Sequence, residues 1–218
     1  MKGFDLFVNK YPPGNDLRKP AAEMLEQFQG KLPTELLDFW QKYGFGNYGG
    51  GLLKIIDPTD YVDTLTLWLG EQEDCFPILM TGFGTLFIYR KRSETADDMC
   101  LLDIHYRRSG SFSTSFSDFF ERILPAEKFV EQFLRVDLFQ EASAKHGGLA
   151  ENEIFSLLQL WRLAEPSPFN ISKKEMPLFI STYYLKCKQT ILAMQSLMIC
   201  GRKPMKLIPM YLNWRTVV

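Results

Sequence analysis

Apolar positions along the chain recur at helical spacing in some stretches and alternate or run together in others. From Lys19 to Gln29, Ala22, Leu25 and Phe28 share a helical face, Pro20 suits a first turn, and Gly30 ends the run. The stretch Leu32 to Gly51, LPTELLDFWQKYGFGNYGGG, is the clearest element. Leu36, Leu37, Phe39, Trp40 and Tyr43 form one broad apolar stripe, while Glu35, Asp38, Gln41 and Lys42 face water. Pro33 suits its first turn, Thr34 could cap it, and Gly44 can end it by adopting positive φ.

Leu52 to Ile56 then reads as a strand halted by Asp57-Pro58, and Thr59 to Leu69 as a helix with Tyr61, Leu65 and Trp68 inward. Phe76–Met80 and Thr85–Tyr89 flank the turn Thr81-Gly82-Phe83-Gly84, a hairpin pattern. Met99 to Tyr106 predicts a third strand, Arg107 to Ser113 a turn, and Ser115 to Leu124 a helix carrying Phe116, Phe119, Phe120 and Ile123 on one side. Ala126–Leu134 and Asp137–Lys145 predict two more helices, closed by His146-Gly147-Gly148. Helices mixed with antiparallel strands, without steady βαβ alternation, give an α+β class. The expectation is an antiparallel sheet with flanking helices over residues 1–124, a small helical part over 125–155, and a poorly defined tail over 156–218.

Charge sharpens that last division. The formal net charge of the 218 residues is -1, so the whole chain has no bias toward nucleic acid or membrane. Residues 1–155 hold 16 Lys+Arg against 24 Asp+Glu, and residues 156–218 hold 9 against 2. The tail has no Asp, one Gly and five of the nine Met. The start MKGFDLFVNK has no signal-like apolar core, and no run reaches the ~18 apolar residues of a membrane span. Cys75, Cys100, Cys187 and Cys200 have no CxxC spacing, which reads as reduced thiols in a cytoplasmic protein. With two histidines, His105 and His146, far apart in sequence, no metal site is expected.

Candidate chemistry is sparse. Gly44, Gly46 and Gly49 spell GxGxxG, but after a helix and before a strand, the reverse of the phosphate-binding order, so they read as turn glycines. Asp103 and His105 are two apart on a strand and share a face, yet no GxSxG elbow supplies a nucleophile, and they read as a surface pair. Glu71, Glu73 and Asp74 are an acidic cluster just after a helix: a solvated loop, or a face that docks a basic partner. The basic tail, with Lys173, Lys174, Lys186, Lys188, Arg202, Lys203 and Lys206 among Tyr183, Tyr184, Tyr211 and Trp214, mixes cations and aromatics but forms no nucleic-acid module. No catalytic residue, cofactor or direct nucleic-acid contact is assigned. The alternative is a small-ligand-binding or regulatory module using the sheet and the Gly44–Gly51 loop, which an apolar pocket lined by Trp40, Trp68 and Phe87 would favour; an enzyme reading would need Asp103, His105 and a nucleophile to converge.

The combination LPTELLDFWQKYGFG, GGGLLKIIDPTDY and FPILMTGFGTLFIY resembles the GAD-like domain family of bacteria over roughly residues 15–123. Leu32-Pro33, Phe39-Trp40, Tyr43-Gly44, Gly51-Leu52, Asp57-Pro58, Tyr61 and the Gly82-Phe83-Gly84 turn carry the likeness. DLFQEASAKHGGLAENEIF, Asp137 to Phe155, resembles the opening of the companion C-terminal domain of type VI secretion immunity proteins. The resemblance implies a non-enzymatic protein that binds and silences a cognate toxin, a nuclease; charge, not the resemblance, makes Glu71, Glu73 and Asp74 the candidate partner-binding residues. After Phe155 the likeness stops where the composition breaks, which we read as a frameshift near Ile154 or Phe155, with a genuine divergent tail as the alternative; sequencing the gene decides between them.

Overall fold

The computed structural model describes residues 2–103, 108–113, 115–156 and 206–209. Helices α1 (Lys2–Lys10), α2 (Ala22–Phe28) and α3 (Thr34–Lys42) precede strands β1 (Gly46–Tyr48) and β2 (Leu53–Ile55). A 3-10 turn, Pro58–Tyr61, leads into α4 (Val62–Leu69). Strands β3 (Cys75–Thr81), β4 (Leu86–Lys91), β5 (Asp97–Asp103) and β6 (Arg108–Ser113) follow. The helical elements α5 (Phe116–Asp118), α6 (Glu127–Phe129) and α7 (Val136–His146) lead to strand β7 (Glu153–Ser156). β7 pairs in parallel with β8 (Lys206–Pro209).

The sheet is an antiparallel meander in the order β1-β2-β3-β4-β5-β6, as the α+β expectation requires. Each strand pairs with its sequence neighbour, because short connections favour hairpins. The hairpin between β3 and β4 turns on Thr81, whose hydroxyl accepts from the Phe83 and Thr85 amides at 3.3 and 3.1 Å. Gly84 takes φ 80°, which a side chain would resist.

The two sheet faces are buried against different elements. Ile55, Leu79 and Phe87 face a core built by α1, α3 and the helices after β6. It is strongly aromatic: Phe4 stacks on Phe39 at 4.5 Å and packs against Phe116 and Phe120. α5 runs on as a π-turn, Phe119–Ile123, and the wider coil buries the adjacent Phe119 and Phe120 together. Met80, Leu86, Ile88 and Leu102 face the other way, under Tyr61, Leu65 and part of Trp68.

One element goes beyond the sequence reading, and three details differ from it. Lys2–Lys10 is a helix, with Phe4 and Phe7 buried at helical spacing. Thr34 is not a cap, since the cap position is Pro33 and no side chain caps α3. Arg108–Ser113 is an edge strand and not a turn. Its ladder to β5 holds it, although RSGSFS has one apolar residue. Asp103 is buried, not on the surface, and pairs with Arg108 across the β5–β6 ladder at 3.6 Å.

Residues 125–155 close onto the same core. Phe129, Leu134, Phe139, Ala142, Leu149 and Phe155 are buried with Phe39 and Trp40 in one cluster. The Phe155 amide donates to the Gly82 carbonyl at 2.8 Å. The frameshift reading concerns residues that lie, apart from Ser156 and Lys206–Pro209, outside the described ones.

Candidate partner-binding surface

The glycines of the GxGxxG run hold other chain segments. The Tyr11–Arg18 stretch lies along β1, with isolated bridges Pro13 to Tyr48 and Arg18 to Phe45. A Cβ on Gly44, at φ 106°, would sit 2.6 Å from the Arg18 carbonyl oxygen, and one on Gly46 would sit 2.9 Å from Leu17. The Arg18 backbone and the Leu17 side chain lie over these two glycines, so neither position has room for a Cβ. Trp40 and Phe87 belong to the aromatic core, while Trp68 lies on the opposite side of the sheet, so the three do not line one pocket.

Two polar clusters are built into the sheet. Lys54 on β2 is 1% exposed. Its ammonium donates to the Asn47 side-chain oxygen and to the carbonyls of Ala150 and Glu151. The Asn47 amide nitrogen in turn donates to the Leu149 carbonyl at 2.7 Å. Burial pulls the Lys54 ammonium down to about 8, opposed in part by the carboxylates of Glu151 and Glu153. This cluster fastens the chain after α7 onto β1 and β2.

In the second cluster, Asp98 takes a two-pronged contact from Arg90, at 2.9 and 2.6 Å, plus contacts from Arg92 and Ser111. The Arg90 hydrogen bonds hold its carboxyl below the usual carboxylate range. Burial raises the nearby Cys75 thiol and takes Cys100 to about 11, so both are thiols, not thiolates, at neutral pH. His105, Cys187, Cys200 and most of the basic tail lie outside the described residues. Among the described residues, no three His, Cys, Asp or Glu side chains are grouped to hold a metal ion, and no helix is long and apolar enough to cross a membrane.

Glu71, Glu73 and Asp74 are exposed in the connection from α4 to β3. Gly70 ends α4 at φ 77°, and Asp74 takes the left-handed conformation at φ 54° before β3 begins. Between Lys54 and Arg90 the chain carries Asp57, Asp60, Asp63, Glu71, Glu73 and Asp74, with no Lys or Arg. Arg18 reaches across to Asp57 at 3.4 Å and Asp60 at 3.7 Å and offsets that end of the run. Asp63, Glu71, Glu73 and Asp74 form no ion pair among the described residues. The exposed acids of this run that lack an ion pair among the described residues are therefore Asp63 on α4 and Glu71, Glu73 and Asp74 in the loop after it.

The sequence reading missed the apolar part of this surface. Val62 and Leu67 on α4 are each 56% exposed. Its signal was available: Val62, Leu65, Leu67, Trp68 and Leu69 spread around more of the helix than one buried face needs.

Residues 2–100 match the family model of the GAD-like domain, and this stretch is a GAD-like domain. The chain is similar to the solved structure of Atu4351 from Agrobacterium tumefaciens, at a TM-score of 0.54 and 13% identity over 68% of this chain and 73% of that one. At that identity the likeness is one of fold. No curated protein matches the chain.

Proposed function

From the GAD-like domain at residues 2–100, we propose that this chain is a non-enzymatic immunity-type protein. It binds and neutralises a cognate type VI secreted toxin, a DNase, in the cytoplasm. The observation that carries the reading is the cation-free run between Lys54 and Arg90, whose exposed acids Asp63, Glu71, Glu73 and Asp74 have no ion-pair partner among the described residues. A DNase needs a cationic groove for phosphate, so an opposed acidic face would steer encounter and cover the groove. The likeness of Asp137–Phe155 to an immunity-protein segment supports the same reading.

The test is the neighbouring gene and its product. A nuclease toxin encoded beside this chain should form a stable complex with it and lose DNase activity. Housekeeping genes on both sides, or a nuclease left active by excess of this chain, overturn the reading. Within such a complex, reversing Glu71, Glu73 and Asp74 to Lys together should weaken binding by about 30-fold at low salt, mostly through slower association. The deficit should shrink at high ionic strength, because screening shortens the reach of the charges. Stopped-flow association rates at two salt concentrations check this.

A further inference from the structure

We propose that the outward face of α4 is the docking face for a basic protein surface, with Val62 and Leu67 as its two apolar anchors. The inference rests on the toxin-binding reading above and names the surface that makes the contact. Successive helix residues turn by about 100°, so Val62, Thr66, Asp63 and Leu67 follow one another across an arc of about 140°. Thr64 and Leu65 lie on the opposite side and are buried against the sheet. Thr66 donates its hydroxyl proton to the Val62 carbonyl at 3.1 Å, so that proton is already used within the helix. The arc therefore offers two apolar side chains around one carboxylate and runs on into Glu71, Glu73 and Asp74.

Single exposed apolar residues are ordinary on a protein surface. Here two stand on one helix, flanking Asp63 and leading to three more acids that lack ion pairs among the described residues. Anchors in desolvated contact, ringed by charge that orients the partner, are the usual division of work in an interface. The charge decides the occupant. A second copy laid face to face would set Asp63, Glu71, Glu73 and Asp74 against their own equivalents, whereas a cationic protein surface meets them with opposite sign.

The experiment compares full-length wild type with the double variant Val62→Ser/Leu67→Ser in binding to the nuclease domain of the toxin encoded beside this chain. Leu6→Ser is the control. Leu6 is also exposed, at 45%, but it stands on α1, which packs on the other side of the sheet. The expected result is about a 20-fold weaker complex for the double variant, seen mainly as faster dissociation, with Leu6→Ser unchanged. Thermal unfolding of all three should coincide, since the replaced side chains are mostly solvated. Wild-type binding with the double variant equally tight overturns the α4 assignment and leaves the toxin reading standing. A wild type that does not bind the nuclease overturns the toxin reading, and the α4 assignment with it.

Discussion

Replacing Gly82 with alanine should destabilise the protein by about 3 kcal/mol. A Cβ at this position would lie 2.5 Å from the Phe139 ring and 2.8 Å from the Gly51 carbonyl oxygen. The first contact is with a side chain that is 6% exposed and wedged against Phe83 and Phe155. The second is with backbone, in a segment already bent by positive φ at Gly49, Gly50 and Gly51. Neither neighbour can withdraw cheaply. For a chain of this size each kcal/mol shifts the melting temperature by roughly 2–4 °C, so a fall of around 10 °C is expected.

A double-mutant cycle separates the two contacts. Phe139→Leu shortens the ring and should relieve part of the Gly82→Ala clash, giving a coupling of about 1–2 kcal/mol. Strictly additive effects would mean that Phe139 does not press on Gly82. Loss of Phe139 contacts should also lower the single unfolding transition of the whole body. The reason is that Phe139 belongs to residues 125–155, while its neighbours Gly51 and Gly82 belong to the GAD-like domain.

That contact marks the limit of what the sequence could reveal. α3 and the β3–β4 hairpin were legible because their signals are local: one apolar stripe ended by glycine, and two apolar runs around a glycine turn. β6 was not legible. With Phe112 as its sole apolar residue, it is a strand because β5 offers it hydrogen bonds. The order of the GxGxxG run marked its glycines as turn glycines, and Gly44, Gly46 and Gly49 do take positive φ. The segment that occupies those glycines, Tyr11–Arg18, comes some 30 residues earlier in the chain, and no local pattern connects the two. The surface divides the same way. Glu71, Glu73 and Asp74 can be picked out by charge alone. That Val62 and Leu67 face outward depends on how much of α4 the sheet covers, which is a tertiary fact. Asp103 read as exposed because carboxylates usually are, and it is buried because Arg108 lies opposite it in the ladder.

Lys54 by itself should contribute a gain of stability on going from pH 8 toward pH 10. In the unfolded chain this ammonium titrates near 10.5, and in the fold burial brings it to about 8. Below pH 8 both states hold the proton, and the fold bears the cost of a buried charge. Between the two values the unfolded state binds more protons than the native one, so stability rises with pH, by about 1.4 kcal/mol per unit and about 3 kcal/mol over the whole window. Opposing groups set in close by. Burial raises Cys100 from 9.0 to about 11 and Tyr89 from 10.0 to about 12, so unfolding releases their protons and stability falls above pH 9 to 10. Lys54→Met isolates the lysine, because the variant keeps those cysteines and tyrosines. At pH 7 the substitution orphans the Asn47 oxygen and the Ala150 carbonyl, at about 1–3 kcal/mol each, but it also removes the buried charge, and the net change is small. At pH 10 the wild-type amine is neutral, still donates to the same acceptors, and no longer carries the charge cost. The wild type should therefore exceed Lys54→Met by about 2–3 kcal/mol more at pH 10 than at pH 7, measured by urea unfolding at each pH. A stability difference that stays flat across that range would mean the ammonium is not buried, and that Lys54 does not fasten Leu149–Glu151 to the sheet.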